Sequence, residues 1–334
     1  MRTRPEELTD ARIAAELAAG WGIDAPSVSY LPVGFGSHHW RGHGGGRDWF
    51  VTVDDLDARL RSADEPRDTA SDRLGAALTT AAAVRDWGLS FVVAPVAAGE
   101  GAVVRRISSR FALALYPYVE GRTRAWGAYE SLAERIAILD LLVALHRAPP
   151  ETRTEARTDD FRIAHRDELE RAIADAGRAW DSGPYAEPAR ALLARHTHAL
   201  ERLLAQHDRF GAEAREQPQR LVLTHGEPHP GNTILTDHGP MLVDWDTALL
   251  APPERDVWVV AEGDSSVVGA YEATTRRQIL PKMLEFYRLG WDLADIADFV
   301  ALFRRPHGQT ADSEKAWISL IDRLDLERRW PSMA

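Results

Sequence analysis

The chain has 334 residues, 45% hydrophobic and 27% charged, a length that bounds about two domains, each able to bury its own core. Cysteine is absent, which excludes disulfides and thiolate metal sites, and a formal charge of −11 argues against nucleic-acid binding, which needs a cationic surface. No apolar run approaches the ~20 residues of a membrane span and the charged start MRTRPEELTDARIAAEL lacks a signal-peptide apolar stretch, so a cytoplasmic protein with no membrane partner is expected.

In chain order, an N-terminal helix is expected over about 9–20. SVSYLPVGFGSHHWRGHGGGRDWFVTVDDL then reads as three strands whose turns are marked by Gly34, Gly36 and the run Gly44–Gly46. A helix near 71–87 carries Leu74, Leu78, Ala81 and Ala82 at helical spacing. FVVAPV and VVRRISSRFALALYPYV add further strands, which makes a small antiparallel sheet with one helix packed on it. At YPYVEGRT the strand pattern stops, and Pro117 and Gly121 punctuate a connector. Beyond it the chain is mostly helical. Helices are expected around 129–147, 165–180, 186–208, 268–288, 292–304 and 313–328, interrupted by short strands at 221–224, 233–236 and 241–245. Trp87, Trp180, Trp258, Trp291 and Trp317 lie in helical patterns and read as packing residues.

The chemistry concentrates in LVLTHGEPHPGNTILTDHGPMLVDWDTALLAPPERD, from Leu221. A carboxylate, Glu227, and an amide, Asn232, stand on one loop, and Asp244 follows at the end of a strand. These are oxygen ligands, the kind that Mg²⁺ takes alongside phosphates. Phosphoryl transfer needs metal-held phosphates and a group that aligns the attacking hydroxyl. Glu227 fits the second task, and Asn232 with Asp244 the first.

H-G-E-P-H-P-G-N (225–232) resembles the catalytic loop of the aminoglycoside phosphotransferase family, relatives of the protein kinases, and LVDWD (242–246) resembles its metal-binding segment. GFGS stands in the place of a nucleotide loop, YPYVEGRT is similar to the family hinge, and LLVALHRAP to the helix end after it. DWDTALLAPPERDVW is most similar to the spectinomycin phosphotransferase branch. The resemblance implies an α+β, two-lobed, protein-kinase-like fold, with a small β-sheet nucleotide lobe (1–117), a larger, mainly helical lobe (118–334) and a cleft at the hinge. It implies an O-phosphotransferase that uses ATP or GTP with Mg²⁺ on a small-molecule hydroxyl. An aminocyclitol or aminoglycoside antibiotic is the first acceptor expected, with a hydroxylated nucleoside or peptide antibiotic, or a sugar-like metabolite, also open.

In that scheme His225 would brace the loop and Asp256 would be a buried supporting carboxylate. Gly34, Gly36 and Ser37 would bring backbone N–H groups to phosphates, and the backbone of Tyr116, Tyr118 and Val119 would meet a purine. Asp246 could take a second metal, touch substrate or make a structural hydrogen bond; Glu262, Asp264, Asp292 and Asp295 could line a site for a cationic acceptor, although solvated helix faces are the plainer reading of these four. His38 and His39 read as turn-surface residues.

Two departures stand out. The family's loop has Asp where this chain has Glu227, and one methylene moves a carboxylate about 1.5 Å outward. The family's third strand carries a phosphate-gripping Lys paired to a Glu on the next helix. Here Thr52 holds that position, the helix SDRLGAALTTAAAVRDW has no Glu, and no lysine precedes Lys282. Arg41, Arg105 and Arg106, on neighbouring strands, are the candidate substitutes, although solvent-facing strand arginines are the plainer reading of each. The missing pair also leaves open a kinase-like binding protein without turnover. A third reading is a zinc or iron site, since His225, Glu227 and His229 alternate and would share a face of an extended segment.

Overall fold

In a computed structural model the described residues are 1–24, 27–34 and 36–331; Phe35, within the GFGS turn, lies outside them. In chain order the elements are α1 (Asp10–Trp21), β1 (Ser27–Leu31), β2 (Ser37–Gly44), β3 (Arg47–Asp55) and α2 (Arg67–Trp87). There follow β4 (Arg105–Arg106), β5 (Phe111–Pro117), β6 (Arg122–Thr123) and α3 (Leu132–His146). Next are α4 (Arg166–Ala174), α5 (Ala186–Ala194), α6 (Thr197–Arg215), β7 (Val222–Thr224), β8 (Thr233–Thr236), β9 (Gly239–Leu242) and β10 (Leu249–Ala251). The chain ends in α7 (Glu254–Ala261), α8 (Ser265–Thr275), α9 (Pro281–Phe303), α10 (Ala311–Arg323) and α11 (Leu326–Arg329). No helix among the described residues is long and apolar enough to cross a membrane.

The chain gathers into two compact units. One comprises 1–59, 66–159 and 218–284, the other 60–65, 160–217 and 285–334. These bounds differ from the expected division at 117/118, because α3 and the whole 218–284 segment go with the N-terminal sheet.

In the first unit, five antiparallel strands lie in the order β1-β2-β3-β5-β4. The β2–β3 hairpin turns on Gly45 and Gly46, both at positive φ (61° and 76°), which a two-residue turn of matching twist requires. Alternation along β3 buries Trp49, Val51 and Val53 with Leu17, Trp40 and Leu113, so Thr52 points to the other face. The expected strand FVVAPV does not form. Instead Leu242 N donates to the Phe91 carbonyl (2.8 Å) and Val93 N to that of Leu242 (3.0 Å), which straps this segment to the end of β9. Trp87 is also half-exposed rather than packed. Ser131 caps α3 by accepting the Glu134 N–H (3.2 Å), and α3 packs on α7, α8 and β7. Two small sheets, β6-β8-β9 and β10-β7, frame the loop between β7 and β8.

The second unit is helical. Its core includes Leu169, Leu193, Leu200, Leu293, Val300 and Leu320. The helix expected over 186–208 divides between α5 and α6 at Arg195 and His196. The break expected near 290 is absent: the chain leaves α8 through Arg276 at φ 60° and runs on as α9 from Pro281, through Gly290. Asp292 and Asp295 are structural rather than acceptor-lining. Asp292 is 2% exposed and takes hydrogen bonds from Trp330 Nε1 (2.9 Å) and Arg329 Nε (3.0 Å), while Asp295 accepts from Arg323 (2.6 Å).

Leu113, fully buried between β3 and β4, tests the sheet core. Leu113→Ala is expected to lower stability by about 2–5 kcal/mol, read from urea denaturation followed by tryptophan fluorescence.

Candidate active site

The loop after β7 is fixed by buried hydrogen bonds before any ligand is considered. His225 is fully buried. Its Nε2–H donates to the Val243 carbonyl (2.9 Å) and its Nδ1 accepts the Glu227 N–H (3.2 Å), which requires one neutral tautomer. Burial pushes its pKa down in the same sense, and the ring sits edge-on to Trp245, 4.5 Å between centroids.

Asp256, in the first turn of α7, accepts the N–H groups of His225 (2.9 Å) and Gly226 (2.6 Å) and the Nε2–H of His146 (3.0 Å). Burial alone would raise its pKa. The His146 hydrogen bond, with the nearby charges, carries it below the ordinary value. Gly226 is required twice. Its φ is +101°, and an added Cβ would lie 2.4 Å from the Arg255 guanidinium. That guanidinium is held by Thr224 Oγ1 (2.9 Å) and the Thr247 carbonyl (3.0 Å).

Glu227 projects from this frame with its side chain one-third exposed, Oε2 3.8 Å from His229 Nε2. Burial opposes its ionisation, but His229 and Arg255 outweigh it and hold the pKa below the ordinary carboxylate value. Asn232 ends a short 3-10 turn (Pro230–Asn232) and its Nδ2 donates to the Glu227 carbonyl (3.1 Å), which leaves Oδ1 as the amide atom suited to a cation. Val243 N donates to the Asn232 carbonyl (3.0 Å), so Asp244 follows directly beside Asn232. Strand β9 stops at Leu242, and Asp244 lies past its end at φ 65°, a left-handed conformation uncommon outside glycine. Its pKa is raised, first by partial desolvation and then by the carboxylates of Asp246 and Glu227.

Asp246 joins the same cluster through a residue that sequence reasoning missed. Arg59, just past β3, donates to Asp246 Oδ2 (2.5 Å) and to Asp54 Oδ1 through both Nε (3.0 Å) and Nη2 (2.6 Å). Asp54 also accepts the Ser37 hydroxyl (2.6 Å). Arg59 lies in DDLDARLRSADEPRD, a mixed-charge stretch whose pattern reads only as a solvated loop. The candidate substitutes for the missing lysine are engaged elsewhere. Arg41 pairs with Asp48 and stacks 4.2 Å over Tyr118, Arg105 faces Glu100 (3.8 Å), and Arg106 meets Asp68 (2.9 Å).

Gly34 and Gly36 both have positive φ (72° and 96°), as the turn before β2 requires. His38 and His39 lie under it rather than on its surface. His38 is 5% exposed, and His39 meets Thr52 Oγ1 (3.3 Å) and stacks on Phe50 (4.9 Å). Of the hinge residues, Tyr116 lies in the β3–β5 ladder opposite Phe50 and its hydroxyl pKa is raised by burial and then by Asp54, Asp246 and Asp244. The Tyr118 N–H is already given to the Asp48 carbonyl (3.2 Å), so among the expected purine contacts Val119 is the one outside that pairing. Glu262 lies apart from the acidic cluster, exposed and left-handed (φ 48°) at the end of α7, and Asp264 caps α8 by accepting the Ser266 N–H (2.9 Å).

The zinc or iron reading fails on these bonds, because both ring nitrogens of His225 are committed inside the loop frame. Among the described residues no group of three or more His, Asp or Glu side chains forms a metal cage. Mg²⁺ needs none, since one or two protein oxygens plus phosphates suffice.

An antiparallel N-terminal sheet, a helical C-terminal region and an oxygen-rich loop braced from α7 together define a kinase-like phosphotransferase. The family model described as "Phosphotransferase enzyme family" matches residues 34–289, and this chain belongs to that family. It is 31% identical to Protein StrN of Streptomyces griseus over 312 residues, 91% of this chain and 88% of that one. The structure of spectinomycin phosphotransferase APH(9)-Ia with ADP and spectinomycin superposes with TM-score 0.72 at 13% identity, over 95% of each chain. The amicoumacin kinase hAmiN, in complex with AMP-PNP, Ca²⁺ and Ami, gives 0.60 at 12% identity, over 97% of this chain and 94% of that one. The fold is that of these kinases, and the enzyme class is phosphotransferase with an alcohol group as acceptor.

Asp256→Ala would strand two loop N–H groups and His146. It is expected to cost about 3–5 kcal/mol and to raise amide hydrogen exchange at His225 and Gly226, measured by exchange mass spectrometry.

Proposed function

We propose that this chain is an O-phosphotransferase that uses a nucleoside triphosphate and Mg²⁺ to phosphorylate a hydroxyl of an antibiotic-type small molecule, with an aminocyclitol or aminoglycoside first. The observation that carries this reading is the position of Glu227. Its carboxylate is ionised and reachable, and its own carbonyl is tied to Asn232, one backbone hydrogen bond away from the segment bearing Asp244. The nucleotide-bound kinases of the same fold support the donor, and the spectinomycin enzyme supports the acceptor class. Residues 1–117 would supply the nucleotide side and 118–334 the loop and acceptor groups. The cytoplasm, where triphosphates are available, is the proposed location.

A divalent cation suits Asn232 Oδ1 and Asp244. The neighbouring carboxylates that, after burial, raise the Asp244 pKa are what a dication would relieve, and bound there it would neutralise charge on the transferring phosphate. The chain's own groups do the rest. Glu227 accepts a hydrogen bond from the acceptor hydroxyl, aligns it and receives its proton as the new bond from that oxygen to the γ-phosphorus forms and the bond from the γ-phosphorus to the β–γ bridging oxygen breaks, releasing the nucleoside diphosphate. His229 keeps that carboxylate ionised until then. Gly34 and Gly36 let backbone approach the phosphates without a side chain between them. The extra methylene of Glu227 is accommodated because the carboxylate is carried forward from a fixed backbone toward His229, which implies an acceptor hydroxyl set correspondingly further out.

Thr52 in the lysine position favours a second reading, a nucleotide-binding protein without turnover. One assay separates the two: labelled ATP or GTP, Mg²⁺ and an antibiotic panel, with the wild type, Glu227→Ala and Asp244→Ala. Wild type is expected to label an acceptor. Glu227→Ala is expected to lower kcat by about 10²–10⁴-fold with nucleotide binding retained, and chelation of Mg²⁺ to abolish turnover. Undiminished product from both variants would remove the residue roles, and no product from the wild type on any acceptor would favour the second reading.

A further inference from the structure

Arg59 occupies a place that its sequence context does not announce. All its contacts to the first-unit acids run through Nε and Nη2, to Asp54 Oδ1, Asp246 Oδ2 and, at 3.3 Å, Ser37 Oγ. Ser37 is the first residue of β2, directly after the glycine turn. Asp246 is two residues past Asp244. The guanidinium therefore stands between the glycine turn and the Asp244 segment, the interval that a polyphosphate spans in the proposed reaction. Asp54 is 1% exposed and holds the Nε–Nη2 edge, while Nη1 carries two further N–H groups on the adjoining edge.

The other nearby cations are held by neighbours: the N-terminal ammonium by the Val33 and Ser37 carbonyls, and Arg255 by Thr224 Oγ1 and the Thr247 carbonyl. Arg41, Arg105 and Arg106 are paired with Asp48, Glu100 and Asp68. His39 is pushed down to about 4, first by burial and then by the N-terminal ammonium, so it is neutral near pH 7. A triphosphate brought up to Glu227, Asp244 and Asp246 needs a fixed cation besides the metal, and Arg59, bonded to Asp246 and Ser37, is placed there.

Resting on the phosphotransferase reading, we infer that Arg59 and Asp54 rebuild the missing lysine–glutamate pair. Asp54 orients the guanidinium, and Arg59 exchanges its bond to Asp246 for a fork on the α and β phosphates. The exchange also frees Asp246 for the cation or the acceptor. Arg59 is thus a nucleotide-binding residue drawn from the end of β3 rather than its middle, with its carboxylate partner on the strand itself instead of on α2.

The test is binding of ADP and of adenosine, each with Mg²⁺, by calorimetry. Arg59→Met alone would leave Asp54 buried and uncompensated, so it is paired with Asp54→Asn, and thermal unfolding reports that the double variant is folded. Expected is a loss of ADP affinity of about 10- to 100-fold with adenosine affinity unchanged. Arg59→Lys, which keeps the charge without the fork, is expected to lose about 3- to 10-fold for ADP alone. Unchanged ADP affinity in a folded variant overturns the inference, as does equal loss for ADP and adenosine, which marks a purely structural ion pair. Failure of the wild type itself to bind ADP overturns the phosphotransferase reading and this inference with it.

Discussion

The buried carboxylate of Asp256 is the fixed point on which the rest of the site depends. Taking a carboxylate out of water costs several kcal/mol unless donors replace the water, and here three donors do so, two of them backbone N–H groups of the loop after β7. The stabilising bonds and the shape of the loop are therefore the same bonds. Gly226 must adopt its left-handed conformation for its N–H to reach Asp256, and Arg255 fills the space that a side chain at 226 would need. With the backbone at 225 and 226 set, His225 can only bridge Val243 and Glu227, which ties the loop to the segment carrying Asp244.

Rigidity on one side is balanced by electrostatic tension on the other. Burial, and after it the carboxylates of Asp246, Glu227 and Asp54, push up the pKa of Asp244, and Arg59 is the cation in direct contact with Asp54 and Asp246. Such a concentration of like charge is expensive in a resting protein. In the proposed reaction it would be relieved when a polyanion and its counter-cation arrive together, the carboxylates taking the cation and the guanidinium the anion. A phosphoryl-transfer site built this way is organised before substrate enters, so little reorganisation remains for the chemical step.

Much of this was legible in the residues, for identifiable reasons. The loop 225–232 and the segment around Asp244 carry residue types whose chemistry is local, and the β8–β9 hairpin follows from alternation and a Gly turn at 239. What failed was long-range. FVVAPV has strand composition, yet its partner is the end of β9, so two backbone hydrogen bonds replace a ladder. The break between α5 and α6 contains no glycine or proline, and Gly290 passes unbroken through α9 because its surroundings support helix. Arg59 was invisible because its partner Asp246 is 187 positions away, and no spacing rule reaches across that distance.

The most direct measurement is a crystal structure with a non-hydrolysable ATP analogue and Mg²⁺ bound. The account predicts a triphosphate running from the glycine turn past Arg59, with its terminal phosphate beside Asn232 and Asp244 and its far side open toward Glu227. A triphosphate seated away from these residues, or an ordered metal on His225 and His229 instead, would contradict it.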